Sequence, residues 1–203
     1  MTTTPAKGER TRSALVEAAI ARFAAEGFRR TSVADIARDV GVTAAAVYRY
    51  YPDKESLFIA AVDADAEALV DLIREELSEQ FADDLATVGP TVAKRFMRAL
   101  RDHPLVTRVL RGAEPMSPDR IHALPGLTEL RTRVTALLKV GQATGVVRTD
   151  IDPELMALGM ETILLHQLAH LATLREPNPR TESARWTAVA AVLEAALRTP
   201  AAT

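Results

Sequence analysis

The sequence contains no cysteine among its 203 residues. This absence excludes disulfide bonds, thiolate zinc sites and a cysteine nucleophile together. It also fits a reducing compartment, and we expect the protein to be cytoplasmic. No run approaches 18 uninterrupted apolar residues, and the polar, basic stretch MTTTPAKGERTR lacks the apolar centre of a signal peptide. We therefore expect no membrane partner.

Motifs for catalysis and metal binding are missing as well. The sequence has no glycine-rich phosphate loop, no G-x-S-x-G elbow and no assembled pair of carboxylates. His166 and His170 have the i, i+4 spacing that can bind zinc, but Gln167 stands where a metalloprotease has glutamate, and no third ligand is evident. We therefore expect a protein that is not an enzyme and that holds no cofactor and no metal.

Charge is distributed unevenly along the chain, although its net value is only −2. Residues 1–54 carry nine Lys and Arg against six Asp and Glu, whereas residues 55–203 carry sixteen against twenty-one. The N-terminal part is therefore the basic one, which is the sign expected if it meets phosphate groups. Chance scatter of surface charge is the alternative explanation.

Apolar residues recur at helical spacing, and no strand pattern or internal repeat is present. The first helical stretch stops at Gly27, and the second runs from an N-cap at Ser32 to Gly41. A third, short helix is predicted from the cap Thr43 through Tyr50. The remaining chain predicts an irregular connection over 112–125 and longer helices at 54–79, 84–102, 104–112, 125–145, 153–174 and 180–198.

The main functional signal lies in the segment VADIARDVGVTAAAVYRY, residues 33–50. Ala37 is small where two helices must cross, and Gly41 supplies the turn conformation that a residue with a Cβ resists. Apolar residues on both sides of this turn fill the wedge between the helices. The combination is typical of a helix-turn-helix that binds DNA, although other helical hairpins show part of it.

The stretch YRYYPDKESL, residues 48–57, strengthens that interpretation. Tyrosine hydroxyls and a lysine at a helix N-terminus are good ligands for phosphate, which favours Tyr48, Tyr50 and Lys54 as contacts to the DNA backbone. Tyr51 is expected in the core. The alternative is that all three tyrosines are core aromatics.

Residues 9–60 resemble the N-terminal domain of TetR-family regulators. The matching pieces are AAIARFAAEGF, TSVADIARDVGV and AVYRYYPDKESL. The remainder is similar in layout, as about 150 helical residues that include the phrase GVVRTDIDPELMA. The resemblance implies an all-α chain with a three-helix helix-turn-helix domain and a short basic N-terminal arm at 1–53, and a helical effector-binding and dimerisation domain at 54–203.

The resemblance also assigns roles to single positions. Ser32 matches the cap that touches phosphate, Thr43 matches the start of the recognition helix, and Ala44–Ala46 match the positions that face base edges. Alanine offers bases only apolar contact, for example to a thymine methyl. Base readout then depends on Thr43, Arg49 and Val33, on the basic arm, or on DNA shape. The predicted DNA contacts are Arg10 of the arm (with Lys7 and Arg12), Ser32, Val33, Thr43, Ala44, Ala45, Tyr48, Arg49, Tyr50 and Lys54.

The larger domain is expected to form a homodimer and to bind a small-molecule effector. Residues 153–174 are apolar on nearly every face, which is too apolar for an exposed helix. The predicted interface residues are Leu168, Leu171, Trp186, Val189, Val192 and Leu193, with internal packing as the alternative. Candidate ligand contacts are the methionines and polar or aromatic residues inside apolar stretches, namely Phe96, Met97, His103, Met116, Met160, Glu161 and His166. Glu161 must meet a cationic ligand, an arginine or solvent, because burying a lone carboxylate is costly.

These expectations describe a transcription regulator, with a repressor that leaves a palindromic DNA site when an effector binds as the leading hypothesis. Two other hypotheses stay open. One is an all-α enzyme or ligand-binding protein with a vestigial helix-turn-helix. The other is an activator or scaffold that binds DNA without an effector.

Overall fold

The computed structural model describes residues 7–80, 95–176 and 178–198, and the regular structure in these ranges is entirely helical. This confirms the predicted all-α class. The predicted helix at 84–102 is described from residue 95, and its earlier part lies outside the described residues. The helices are α1 (Lys7–Glu26), α2 (Val33–Val40), α3 (Ala44–Tyr48), α4 (Lys54–Gln80), α5 (95–102), α6 (Pro104–Leu110), α7 (Pro118–His122), α8 (Pro125–Ala143), α9 (Pro153–Thr173) and α10 (Pro179–Leu197).

The predicted caps and glycine stops of the first three helices are confirmed, although α1 begins already at Lys7 and α3 ends at Tyr48 rather than at Tyr50. Ser32 and Thr43 are the N-caps of α2 and α3, and each side-chain oxygen accepts the backbone N–H three residues further on, at 3.1 and 3.2 Å. Gly27 and Gly41 follow α1 and α2 with φ of +81° and +73°, in the left-handed region that glycine adopts without strain. Local chemistry therefore sets the bounds of the N-terminal helices.

Three phenylalanines join α1 to α4. The Phe58 ring lies edge-on to Phe23 and to Phe28, with centroid distances of 5.1 and 5.0 Å, and Phe23 and Phe28 stack at 6.0 Å. Phe23 and Phe58 are buried, and Phe28 is partly buried. Aromatic pairs of this geometry add to the free energy gained by burial alone. The cluster fixes the N-terminal helices on the start of the long helix.

The rest of α4 packs against α6 and α8, while α9 packs against both of these helices. Two aspartates on α4 strengthen this contact. Asp65 is buried and accepts the N–H of Val106 in α6 at 2.9 Å, and Asp63 accepts the N–H of Gly126 in α8 at 3.1 Å. Both bonds lie at helix N-termini, where a carboxylate is favoured by free N–H groups and by the helix dipole.

Three of the predicted dimer contacts belong to the interior of the chain instead. Leu168, Leu171 and Trp186 are all buried, with 3%, 5% and 8% of their surface exposed. The Trp186 ring stacks on Phe96 at 5.4 Å between centroids, and thus closes the core between α5 and α10. These residues are apolar because they pack within one chain. Val192, with 63% of its surface exposed, remains available to a partner.

Two further features differ from the sequence expectations. The segment 112–125, predicted to be irregular, contains α7, which Ser117 caps and Pro118 begins. In addition, α9 is long and apolar enough to cross a membrane by length and composition alone. A core helix of a soluble protein passes the same test, and α9 carries the buried Glu161, paired with Arg131 of α8 at 2.8 Å.

Replacing Phe58 with alanine should destabilise the protein by about 3–5 kcal/mol, because it removes the ring that takes part in two of the three aromatic pairs and leaves a cavity. Urea unfolding at fixed protein concentration measures this loss. The control is Val146→Ala at a position that is 74% exposed, where the change should stay below about 0.5 kcal/mol. A Phe58→Ala cost as small as the control would contradict the role of the cluster.

Candidate nucleic-acid interface

The helices α2 and α3 form a helix-turn-helix with a buried scaffold. Ile36, Ala37 and Val47 are each at most 2% exposed. The Val42 N–H donates to the Ala37 carbonyl at 2.9 Å, which closes the tight turn at Gly41. A second helix held this firmly can present its outer face as a rigid surface.

The outer face of α3 carries Ala45 and Tyr48, and Arg49 follows as the C-cap; all three residues are exposed. Tyr48 has half of its surface exposed, whereas Tyr51, three residues later, is 4% exposed, which confirms the prediction that Tyr51 is a core residue. Ala44 and Tyr50 are half-buried. The predicted recognition helix therefore offers a methyl group, a phenol and a guanidinium to whatever it meets.

Ser32 and Thr43 are positioned by their capping bonds, so each hydroxyl sits beside the free N–H groups of a helix start. Val33 differs from the expectation. It is only 6% exposed because, as the first residue of α2, it turns into the core, so its side chain cannot read a base. This corrects its assignment as a DNA contact.

The predicted phosphate contact Lys54 is already engaged within the domain. Its Nζ donates to the carbonyls of Phe28 at 2.9 Å and Thr31 at 3.1 Å, and it lies 4.4 Å from the centroid of the Phe28 ring. An ammonium group has three N–H donors, so one donor remains beyond these two bonds. Lys54 therefore holds the turn between α1 and α2 from inside.

The basic arm is in part helical. Lys7, Arg10 and Arg12 lie in the first two turns of α1, which corrects the expectation that they belong to an arm ahead of the helices. Arg10 is exposed. Arg12 donates from Nε to the Tyr51 hydroxyl at 3.3 Å, and this hydrogen bond raises the pKa of its guanidinium. Positive charge is thus presented from a fixed helix.

Acidic groups in this region are neutralised by neighbouring arginines. Arg22 of α1 makes two bonds to Asp39 of α2, at 2.6 and 2.8 Å, and a third to Glu26 at 2.8 Å. The hydrogen bond from Arg22 lowers the pKa of Asp39, and the hydrogen bond from Ser32 lowers that of Asp35. Carboxylates held in this way repel a nearby phosphate less than free ones would.

The candidate ligand residues are dispersed over the larger domain. Phe96 is buried against Trp186, and Met97, Met116 and Met160 pack on the core. His103 Nδ1 lies 3.1 Å from Asp65, and His166 is exposed. The Glu161 carboxylate accepts from Arg131 and lies 2.6 Å from His122 Nδ1. Of the three partners expected for this carboxylate, the structure therefore shows the arginine, and a cationic ligand is not needed to balance its charge. Among the described residues, no group of His, Asp and Glu could hold a metal ion.

A cleft of about 520 Å³ opens between the segments 26–30 and 108–115, and none of the predicted ligand residues lines it. The sequence gives no signal for this cleft, because its lining comes from two segments, 26–30 and 108–115, that are far apart in the chain and share no motif. Its lining residues are Glu26, Gly27, Phe28, Arg29, Arg30, Arg108, Gly112, Ala113, Glu114 and Pro115.

Comparison with known proteins supports the interpretation of α2 and α3 as a DNA-binding helix-turn-helix. Residues 15–61 match the model of the bacterial regulatory proteins of the tetR family. The chain is 26% identical over 163 residues to the HTH-type transcriptional regulator TtgR of Pseudomonas putida, covering 77% of this chain and 78% of that one. Among solved structures, RolR in complex with resorcinol aligns with TM-score 0.61 at 20% identity, covering 97% of both chains. FadR of Thermus thermophilus in complex with lauroyl-CoA aligns with TM-score 0.61 at 19% identity, covering 95% and 99%.

A rigid helix-turn-helix whose second helix exposes Tyr48 and ends at the exposed Arg49, followed by a larger helical domain, is typical of a DNA-binding transcription regulator. The matched domain and the shared fold identify it further. Residues 15–61 match the domain model of the TetR family, and the similar proteins include TetR-family regulators, so the resemblance read from the sequence is confirmed.

Replacing Arg22 with glutamine should raise the pKa of Asp39 toward its ordinary value of 3.8, because the main cause of its lowering is removed. A lowered pKa means that Asp39 contributes stability above pH 3.8 and loses it as the pH falls through the folded-state pKa. Carboxyl-carbon NMR titration measures the shift. Asp150, whose pKa is lowered by Arg148 instead, should titrate as before; an unmoved Asp39 would show that Arg22 is not the cause.

Proposed function

We propose that the protein is a cytoplasmic homodimeric repressor that binds a palindromic DNA site and leaves it when a small molecule binds. Each subunit inserts α3 into a major groove, and no membrane or catalytic step takes part. The observation that carries this proposal is the outer face of α3, where Tyr48 and Arg49 are exposed on a buried and capped scaffold. Tyrosine and arginine side chains are common ligands of the DNA backbone.

Dimerisation is supported by apolar residues exposed on the last two described helices. Val192 of α10 is 63% exposed, and Leu155 and Leu158 of α9 are 65% and 42% exposed. Val189 and Leu193 are half-buried beside Val192. A second copy would cover these side chains. A two-fold dimer would present two reading heads, the helix-turn-helix domains of the two subunits, to two DNA half-sites.

The helix α4 is the proposed coupling element, and we place the boundary between the domains at its start, between residues 53 and 54. Leu57 and Phe58 are buried under α1, while Asp63 and Asp65, further along, hold α8 and α6. An effector that binds the DNA-incompetent state more tightly would shift the dimer toward it, with a coupling of about 1–3 kcal/mol. The relatives RolR and FadR were solved with resorcinol and lauroyl-CoA, which supports a small-molecule effector without naming this one.

The second hypothesis, an activator or scaffold without an effector, shares the DNA contacts and differs in the larger domain. A vestigial helix-turn-helix gives no reason for Tyr48, Arg49 and Arg10 all to be exposed in the N-terminal domain.

Binding to duplex DNA from the gene's own upstream region, measured over a range of salt, tests the core of the proposal. Absence of salt-dependent binding would overturn it.

Replacing Tyr48 with phenylalanine should weaken DNA binding about tenfold or more, because a hydrogen bond to a charged phosphate is lost. The loss should be similar on every sequence, since a phosphate contact carries no base information. Fluorescence anisotropy with the duplex that binds most tightly and with scrambled duplexes measures the loss of affinity and its dependence on sequence. Thr132→Val is the control, because it removes a hydroxyl of α8 that donates only to the Thr128 carbonyl of its own helix. A changed sequence preference would instead place Tyr48 on a base.

Replacing Val192 with glutamate should raise the dimer dissociation constant at least about 100-fold, since the proposed interface would bury an unpaired charge from each subunit. Analytical ultracentrifugation measures the assembly. Val146→Glu makes the same change at a position that is 74% exposed between α8 and α9, and should leave the dimer intact. Equal dissociation constants of the two variants would show that the dimer interface does not include Val192 of α10.

A further inference from the structure

The carboxylate of Glu114 joins the two domains directly. Its side chain is 2% exposed although it lies in the connection between α6 and α7. One oxygen accepts the backbone N–H of Phe28 at 2.8 Å, 86 residues away in the chain. The other accepts from Arg108, at 2.7 Å from Nε and 2.6 Å from the terminal nitrogen.

The backbone at Gly27 and Phe28 leaves room for the Glu114 carboxylate. Gly27, with φ of +81°, ends α1 and leaves the Phe28 N–H pointing away from the helix. A Cβ on Gly27 would lie 2.8 Å from the Arg108 guanidinium and 3.1 Å from the Glu114 carboxylate. Glycine is therefore required twice at this position, for its backbone conformation and for the close approach of the ion pair.

The turn that Glu114 holds leads straight to the predicted DNA contacts. The Thr31 hydroxyl and N–H both donate to the Gly27 carbonyl, at 2.9 and 3.3 Å, and Lys54 holds the Phe28 and Thr31 carbonyls from the other side. Ser32, the cap of α2, follows immediately. A displacement of Glu114 would therefore move the start of α2, although Glu114 itself touches none of the predicted DNA contacts.

We propose that Glu114 is a positioning residue for DNA binding: through the Phe28 N–H, it fixes the orientation of the reading head relative to the larger domain. This inference rests on the proposed function. Since Arg108 belongs to α6, whose other end is bound to α4 through Asp65, a movement of α6 would reach the reading head by two separate contacts. Glu114 supplies the contact that bypasses α4.

The test combines hydrogen exchange with DNA binding in the full-length protein. Glu114→Ala should increase exchange of the Phe28 amide, because its acceptor is lost, while amides of α8 stay protected. It should weaken binding to the upstream duplex by about 2- to 30-fold, the range expected for residues that couple sites without touching the ligand. Glu114→Gln keeps an acceptor for the Phe28 N–H and should recover most of both losses. Glu129→Gln, an exposed carboxylate of α8 paired with Arg133, is the control and should change neither.

Should Glu114→Ala fail to fold, Glu114→Asp takes its place, because it keeps the charge for Arg108 and is one methylene too short to reach the Phe28 N–H. This variant should likewise show faster exchange of the Phe28 amide and weaker binding to the upstream duplex. Unchanged Phe28 exchange in the folded variant, or DNA affinity within twofold of the parent, would overturn the role of Glu114. If the parent itself does not bind DNA, the proposed function fails, whereas the exchange result still decides whether the contact between the domains exists.

Discussion

The structure depends on one long helix that carries the hydrophobic core from the N-terminal helices into the larger domain. The first turns of α4 complete the N-terminal domain through Leu57 and Phe58, and the following turns are buried under α6 and α8. Because the buried residues continue along α4 without a break between the domains, the reading head cannot rotate freely about a linker. Any change in orientation must instead move packed side chains, which favours a few discrete arrangements over a continuum.

Buried carboxylates extend this constraint. Asp65, Glu114 and Glu161 are each less than 9% exposed, and each is satisfied by a backbone N–H, an arginine or a histidine from another element. A buried charge tolerates little displacement from its partners, since an unpaired one is strongly destabilising. These groups therefore determine how the helices sit against each other, whereas the apolar residues supply most of the free energy of folding.

Local signals in the sequence predicted the N-terminal domain well. The caps Ser32 and Thr43, the stop at Gly41 and the core position of Tyr51 are confirmed, because each depends on residues within one or two turns. The sequence predicts Trp186 at an interface, whereas the residue lies in the core, because both environments favour apolar residues and a single sequence does not separate them. Glu114 escaped notice because its partner is the backbone N–H of a residue 86 positions away, which has no side-chain signature.

The exposed methyl of Ala45 has a consequence for how much information the protein extracts from a genome. A bidentate polar contact discriminates against the wrong base by about 1–3 kcal/mol, and a methyl group at the same place does not supply it. In the proposed complex, this position would therefore add little to the discrimination between sequences. Selectivity would depend on the other contacts, on DNA shape and on the spacing of the half-sites.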